Sequence, residues 1–369
     1  MSRGRPFPII TTMNNPHVDL IKRLTQAAGL SGYEKDIGDI VADELNGIAA
    51  VSRDRVGNVL AQFPGTDTQG PKILLTAHQD EIGFIVSDIL PSGFLRIFNI
   101  GGWNAVTLPS SPVSVLNSQG ALIPGIIGQL SPHFLKKGSV PQVPELEDLF
   151  IDIGAGSAQE AREVFKVEPG SLVVPVAPFQ VVEQTGCVMS KAFDDRIGVA
   201  ALVEVGKRIA ANHHRASVTL AATVQEEVGT RGARVLANYT DADLVLVVEG
   251  APADDMPGGP AQPQTSVGKG AHVRIFDPTH IGHRGLLNHI RGLARRNSIK
   301  IQEAVRKGGG TDAVMLALAD RGIPCVVTGV PVRYAHSHNC LISLHDYENL
   351  IDLLVSVCME TTDLGPILA

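Results

Sequence analysis

Cysteine is scarce in this sequence: four in 369 residues, at Cys187, Cys325, Cys340 and Cys358, widely scattered and with no Cys-x-x-Cys spacing. That excludes a disulfide framework and a thiolate zinc site, and leaves reduced, mostly buried thiols. No apolar run reaches the roughly 18 residues of a membrane-spanning helix. No long run of one charge sign occurs either: 31 Lys and Arg against 38 Asp and Glu give a formal charge of −7. This balance argues against nucleic acid or an anionic membrane as the main partner and favours a small substrate or peptide. The opening Met1 to Pro8 carries basic residues, but it has prolines where a signal peptide keeps an apolar core, so a cytoplasmic protein with a short leading segment is expected. No internal repeat is visible. What remains is ordinary for a soluble globular enzyme, 44% hydrophobic and 19% charged, in a chain long enough for two domains.

Against that background the most informative feature is Glu226-Glu227, which follows Gln225 at the end of the apolar run Val218 to Val224. Two carboxylates at the mouth of a buried strand are costly to desolvate unless a metal or a reaction uses them. Neighbours on an extended segment point to opposite sides. One can therefore ligate a cation while the other handles a proton. The plain alternative is a solvated strand end, which is the usual fate of a Glu-Glu pair.

The opening stretch from Pro16 has helical spacing, and Ile37 to Leu45 repeats it after a Gly29-Leu30-Ser31-Gly32 turn. Val56 to Phe63 and Ile73 to His78 read as strands of a sheet covered on both faces. From about Gly83 to Pro178 the texture changes to short β-like runs (Phe94 to Ile100, Val113 to Leu116, Ala121 to Ile127) between turn residues, as in a small barrel or sandwich. Ser157 and Glu160 form a capping box ahead of a helix from Ala161 to Phe165. Alternation then returns. Helices are expected at Arg196 to Ala211, Arg231 to Asn238, Leu286 to Arg296, Thr311 to Ala319 and His345 to Glu360, and strands at Ser217 to Val224, Leu244 to Val248, Ile299 to Gln302 and Pro324 to Thr328. The simplest architecture is a mixed-sheet α/β/α domain from residues 1–82 and 179–369, with a β-barrel-like domain, 83–178, inserted. The irregular segment Ala251 to Gly270, directly after a strand end, is a candidate specificity or lid loop.

Metal-type residues recur at strand and loop ends. His78 is followed by Gln79-Asp80-Glu81, Asp194 and Asp195 are adjacent, Glu226 and Glu227 and then Glu249 follow apolar runs, and His336 and His338 flank Ser337. Ligands of open α/β sheets bind at the carboxyl ends of strands, so these positions can converge. Carboxylates mixed with imidazoles, without thiolate, suit Zn²⁺, Co²⁺ or Mn²⁺. Spacing alone leaves open Asp194 against Asp195, which could cap the helix from Arg196. It also leaves open His336 against His338. Gly308-Gly309-Gly310-Thr311-Asp312 lacks the Lys-Ser/Thr ending of a phosphate loop and reads as a turn capping the next helix. The remaining histidines, His272 among them, are read as surface or structural.

The motifs Ala77-His-Gln-Asp-Glu-Ile-Gly-Phe84, Lys191-Ala-Phe-Asp-Asp-Arg-Ile-Gly198, Val224-Gln-Glu-Glu-Val-Gly-Thr-Arg-Gly-Ala233, Gly309-Gly-Thr-Asp-Ala313 and Arg333-Tyr-Ala-His-Ser337 occur in this order. Together they resemble the tetrahedral (TET) di-metal aminopeptidases, a family of glutamyl, leucyl and lysyl aminopeptidases with some members called endoglucanases. The resemblance covers nearly the whole chain. It implies two divalent ions per subunit, with Asp194 bridging, His78 and Glu249 completing one site, and Glu227 and His336 the other. It implies Glu226 as general base toward a metal-bridged water, and Asp80 as the residue that orients His78. Asp312 borders the site in this reading, as a substrate contact or a support behind the ligands. Peptide substrates, a dimerising inserted domain and a hollow dodecamer built from dimers are further implications. The alternatives at this stage are a di-metal deacylase or carboxypeptidase of related fold, or an endoglucanase-like relative.

Overall fold

The computed structural model describes residues 16–134 and 144–369. The leading segment at Met1 to Pro8 lies outside the described residues. No helix among the described residues is long and apolar enough to cross a membrane.

Helices α1 (Pro16–Gln26) and α2 (Lys35–Leu45) follow the expected periodicity. Leu20, Ile21 and Leu24 on the first and Ile37, Val41 and Leu45 on the second are buried, a stripe at three- and four-residue intervals. Strand β1 (Ala50–Arg53) was not foreseen, because it is a largely exposed edge strand without apolar alternation. Strand β2 (Val59–Phe63) starts later than Val56. The reason is the Asp54 carboxylate, which accepts the backbone N–H groups of Val56, Gly57 and Asn58 at 3.1, 3.0 and 3.0 Å and holds them in a turn. Strand β3 (Lys72–His78) is buried from its second residue on.

The inserted β segment is a closed antiparallel barrel. Its strands are β4 (Gly83–Ile89), β5 (Leu95–Ile100), β6 (Pro112–Leu116), β7 (Leu122–Gly128), β8 (Phe150–Asp152) and, after helix α3 (Ala158–Glu163), β9 (Leu172–Pro175), in the order β4-β5-β8-β7-β6-β9. Closure leaves no free edge, and Phe84, Leu95, Val115, Ile127 and Ile151 fill the interior. Helix α3 starts before Ala161. Ser157 caps it by accepting the Glu160 N–H, whereas the Glu160 carboxylate bonds the N–H of Gly156 rather than that of Ser157, so only half of the capping box forms.

The rest of the chain returns to alternation. It runs β10 (Gln180–Val182), β11 (Cys187–Ser190), α4 (Phe193–Ala210), β12 (Ser217–Thr223), α5 (Arg231–Leu236), β13 (Leu244–Pro252), β14 (Ala271–Asp277), β15 (His280–Ile281), α6 (Arg284–Arg296), β16 (Ile301–Val305), α7 (Ala313–Leu316), β17 (Cys325–Val332), β18 (Cys340–Ser343), α8 (Leu344–Glu360) and α9 (Gly365–Leu368). Strands β13 and β17 are longer than the sequence predicts and α7 is shorter. Burial explains the strands: β17 is buried along its whole length, and β13 up to Ala251, because both faces are covered. Strand β14 was hidden by His272 and Arg274, polar residues in what is a buried run.

The mixed sheet has the order β1-β2-β12-β3-β13-β17-β14-β15, with β16 added to β14. Strands β12, β3, β13 and β17 are mutually parallel. One face packs on α1, α2, α4, α6 and α8 through a large apolar cluster, and the other packs on α5 and α7 through Leu74, Ala221, Leu236, Val247 and Leu316. The result is an α/β/α sandwich with a barrel inserted after β3.

Candidate active site

Parallel pairing of β12, β3, β13 and β17 brings their carboxyl ends to one edge of the sheet, where ligands bind in such folds. His78 is the last residue of β3. Asp194 follows β11, where the chain enters α4 at φ −90° and ψ 103° rather than at helical angles, and the bond from Asp194 to Asp195 is cis. Glu249 lies inside β13, not at its end as the sequence suggests. The Asp194 turn reaches it because residue 250 is glycine: a Cβ there would stand 2.4 Å from the Phe193 carbonyl oxygen and 2.8 Å from the Asp194 Cα. Glu226 and Glu227 sit on the turn after β12, and His336 on the turn between β17 and β18. Gln225 and His336 have φ of 57° and 59°, left-handed values that residues with a Cβ seldom adopt. Glu226 and Glu227 thus lie together on a tight turn, closed by the Gly229 N–H on the Glu226 carbonyl, and not on the extended strand their sequence implies.

The Asp194 carboxylate stands between two imidazoles. Its Oδ1 is 3.1 Å from His78 Nε2 and its Oδ2 is 3.4 Å from His336 Nε2. Glu249 Oε2 lies 3.8 Å from His78 Nε2, and Glu227 Oε1 lies 3.4 Å from His336 Nε2. Two donor triads result, His78-Asp194-Glu249 and Asp194-Glu227-His336, each with its ligand atoms within 4.8 Å of one another. All five residues singled out as ligands in the sequence meet here. His338 does not: it is buried against Trp103, ring centroids 5.3 Å apart, and burial lowers its pKa to about 4. Asp195 turns away as well. One of its oxygens accepts the His78 backbone N–H at 3.1 Å, and the other accepts the Gly198 N–H at 3.1 Å, so it caps α4.

The electrostatics are those of crowded, buried carboxylates. Burial raises the Glu226 carboxyl well above its ordinary range, and Asp312, Glu227 and Asp80 add to the effect. Glu249 is raised by burial and then by Asp195 and Asp194, and Glu227 is pushed up to about 7 by burial and then by Asp194. At Asp194 burial opposes ionisation, but hydrogen bonds from His336 and His78 outweigh it and hold the carboxyl below its usual range. His336 is raised to about 9, chiefly by Asp194. Burial disfavours a charge on His78, yet Asp194 and Asp80 raise its pKa well above that of a free imidazole. Carboxylates so crowded call for positive charge between them, and imidazole and carboxylate donors without thiolate suit Zn²⁺, Co²⁺ or Mn²⁺.

Asp80 is fully buried and works in two directions. Its backbone oxygen is 3.0 Å from His78 Nδ1 and its Oδ1 is 3.4 Å from the same nitrogen, which leaves Nε2 directed at Asp194. Its carboxylate also accepts the N–H groups of Glu226 and Glu227 at 3.0 and 3.1 Å. Asp312 lies behind the site: its Oδ2 is 2.6 Å from Thr223 Oγ1, and burial pushes its carboxyl to about 6. Thr311, not Asp312, lines the cavity.

A cavity of about 760 Å³ opens over the cluster. Asp194, Glu226, Glu227 and Glu249 line it, and so do Arg274, Arg306 and Lys307. The loop read as a lid contributes Asp254 and Met256 to the wall and is tied down. Asp254 pairs with Arg306 at 2.8 Å, Asp255 with Arg333 at 2.6 Å, and Asp346 accepts the N–H groups of Gly268 and Gly270 at 2.5 and 2.6 Å. Arg274, Arg306 and Lys307 carried no signal in the sequence, since isolated basic residues are common and only the fold brings them to one cavity.

A glutamyl aminopeptidase of Lactococcus lactis subsp. cremoris is 32% identical over 331 residues, covering 89% of this chain and 92% of the relative. Among solved structures, a TET aminopeptidase from the marine sediment archaeon Thaumarchaeota archaeon SCGC AB-539-E09 matches with a TM-score of 0.91 at 37% identity, over 96% of this chain and 99% of that one. The TET1 peptidase of Pyrococcus horikoshii, described as able to assemble into a tetrahedron or a large octahedral shell, matches at 0.82 with 32% identity, over 93% and 99%. Residues 57–353 match the M42 glutamyl aminopeptidase family, and with relatives that run the length of both chains, this chain belongs to that family of peptide hydrolases.

Proposed function

We propose that the chain is a di-metal aminopeptidase that removes N-terminal residues from peptides. The observation that carries this reading is the pair of donor triads sharing Asp194, with Glu226 beside them and in neither. His78, Asp194 and Glu249 hold one ion, and Asp194, Glu227 and His336 the other. Divalent ions bound there supply Lewis acidity, which acidifies water and polarises a carbonyl. Glu226 is the general base: its carboxylate takes a proton from water and returns it to the leaving amine. Its place on the cavity wall beside the ligand carboxylates, outside both triads, supports that role. Asp80 keeps His78 in the orientation that presents Nε2.

Arg274, Arg306 and Lys307 support an acidic side chain as the preferred N-terminal residue. Arg274 is only 5% exposed and, besides its bond to Asp277, has an Nε without a partner among the described residues. Exposed apolar side chains on and beside the barrel, Phe98, Leu122, Ile126, Leu130 and Phe134, support self-association through that unit and assembly into a dodecamer. The free cysteines fit a cytoplasmic location.

The test is a panel of glutamyl, aspartyl, leucyl and lysyl anilides, assayed after chelation and again after Zn²⁺, Co²⁺ or Mn²⁺ is restored. Expected is metal-dependent release with the acidic residues fastest. Activity that survives chelation, or that is confined to N-acyl amino acids, overturns the reading.

A further inference from the structure

The β12 ladder ends at Thr223, and beyond it the turn that carries Glu226 and Glu227 satisfies its carbonyls internally. Gly229 and Thr230 both donate to the Glu226 oxygen at 2.9 Å, Arg231 donates to Gln225 at 3.1 Å, and Gly232 to Val224 at 2.9 Å. Its leading N–H groups therefore point outward. Three in succession are taken up by two carboxylates: Gln225 N–H by Glu34 Oε1 at 3.0 Å, Glu226 N–H by Asp80 Oδ1 at 3.0 Å, and Glu227 N–H by Asp80 Oδ2 at 3.1 Å. Successive N–H groups of this kind form a concavity that favours an anion. Here the chain fills it from two places: Asp80, in the motif after β3, and Glu34, on the α1–α2 turn, a part of the sequence that carries no catalytic motif.

That turn is itself fixed. Ser31 Oγ donates to Asp80 Oδ2 at 2.6 Å, and Glu34 Oε1 also accepts the Gly32 N–H at 2.8 Å. Two buried cations hold its approach: Arg196 donates to the carbonyls of Leu24 and Gly29 at 2.7 and 2.8 Å, and Lys191 to that of Ala27 at 3.5 Å. Glu34 is 5% exposed, beside a second buried carboxylate. If packing alone were required there, an apolar side chain would serve without the desolvation cost of a charge. What an apolar side chain cannot do is accept the Gln225 N–H and so hold a left-handed residue immediately before Glu226.

We infer that Glu34, with Ser31, is a positioning residue for the reaction: it fixes the backbone of the Glu226–Glu227 turn and thereby the placing of both carboxylates. The inference rests on the roles proposed above for Glu226 and Glu227. Its effect reaches both, because one rotation of the turn moves the base and the metal ligand together.

The test compares Glu34→Ala, which deletes the acceptor, with Glu34→Gln, whose amide oxygen can accept the same N–H groups. Each full-length variant is loaded with Co²⁺, and the visible absorption bands of the ion, kcat, KM and thermal midpoint are measured. Expected for Glu34→Ala is a fall in kcat of about 10- to 100-fold, the usual scale for a partner standing behind a ligand. KM should stay within about threefold, the Co²⁺ bands should shift because Glu227 is displaced, and Glu34→Gln should restore both signals. If Glu34→Ala keeps the wild-type kcat and Co²⁺ bands, or if Glu34→Gln is as impaired as Glu34→Ala, the inference is wrong. Should Glu34→Ala not fold, Ser31→Ala and Glu34→Gln decide: Ser31→Ala must lower kcat and shift the bands while Glu34→Gln does neither. A wild-type protein inactive on aminoacyl anilides would sink the proposed function, whereas the Co²⁺ bands would still report on the positioning.

Discussion

The ammonium of Lys191 lies 2.5 and 2.6 Å from the two carboxylate oxygens of Glu81, with both side chains almost wholly buried. Burial pulls the lysine pKa down and Glu81 opposes it, so the charge persists only while its partner does. Glu81 also pairs with the buried Arg196 at 3.5 Å, so removing Glu81 strands two cations, whereas removing Lys191 leaves the carboxylate one partner. Glu81→Leu is expected to destabilise the protein by about 3–5 kcal/mol, and Glu81→Leu combined with Lys191→Met by less, because one of the stranded cations is then removed. Denaturant midpoints of the wild type and the variants check this. A double variant less stable than Glu81→Leu would refute it.

Glu226 contributes no atom to either donor triad, although it lines the same cavity. Glu226→Gln should therefore retain bound metal at the wild-type ratio and lose about 10²- to 10⁴-fold in kcat, the range of general acid–base contributions. Metal analysis alongside turnover distinguishes this from a ligand substitution such as Glu227→Gln, which should lose metal as well. Wild-type turnover in Glu226→Gln would remove it from the mechanism.

Lys307 is the exposed member of the basic group in the cavity, so it can be changed without opening a buried space. Lys307→Glu should lower the ratio of glutamyl to lysyl anilide hydrolysis, measured as kcat/KM, by roughly fivefold, in keeping with an exposed charge contact. The difference should shrink at high salt. An unchanged ratio would mean that the substrate side chain points elsewhere.

His272 is fully buried in β14, with Nδ1 3.3 Å from Thr265 Oγ1 and Nε2 without a partner among the described residues. Burial, then Arg274 and Arg306, hold its pKa well below the ordinary 6.5. The unfolded chain thus takes up a proton near pH 6.5 that the folded protein refuses. Stability from this group is complete above that pH and is lost as pH falls through it toward the folded pKa, at up to about 1.4 kcal/mol per pH unit. His272→Gln should flatten the profile of denaturant midpoint against pH between 7 and 5, and equal slopes in the two proteins would contradict this.

Much of the architecture was legible because its signals are local. Amphipathic spacing marks α1, α2 and α6, and apolar runs mark β3, β12, β13 and β17, whose faces are both covered. Elements went unread where tertiary contacts override local pattern. The edge strand β1 is mostly exposed, and β14 hides His272 and Arg274 in a buried run. Helix α7 is short because the chain tightens after Leu316: the N–H groups of Leu318 and Ala319 bond three residues back, to Met315 and Leu316, and Asp320 turns left-handed at φ 50°.

The sequence by itself determined which donors are available. His78, Asp194, Glu227, Glu249 and His336 are legible as candidates because imidazoles and carboxylates at the ends of apolar runs are chemically conspicuous. Only the tertiary structure decided how they are used. Asp194 and Asp195 are the same side chain one position apart, and the turn into α4 sends the first to two imidazoles and the second to backbone N–H groups. Glu226 and Glu227 are likewise identical in chemistry, and the left-handed turn after β12, held by Asp80 and Glu34 from distant parts of the chain, sets them apart. Composition names the donors, but orientation depends on hydrogen bonds between residues far apart in sequence, and these exist only after folding.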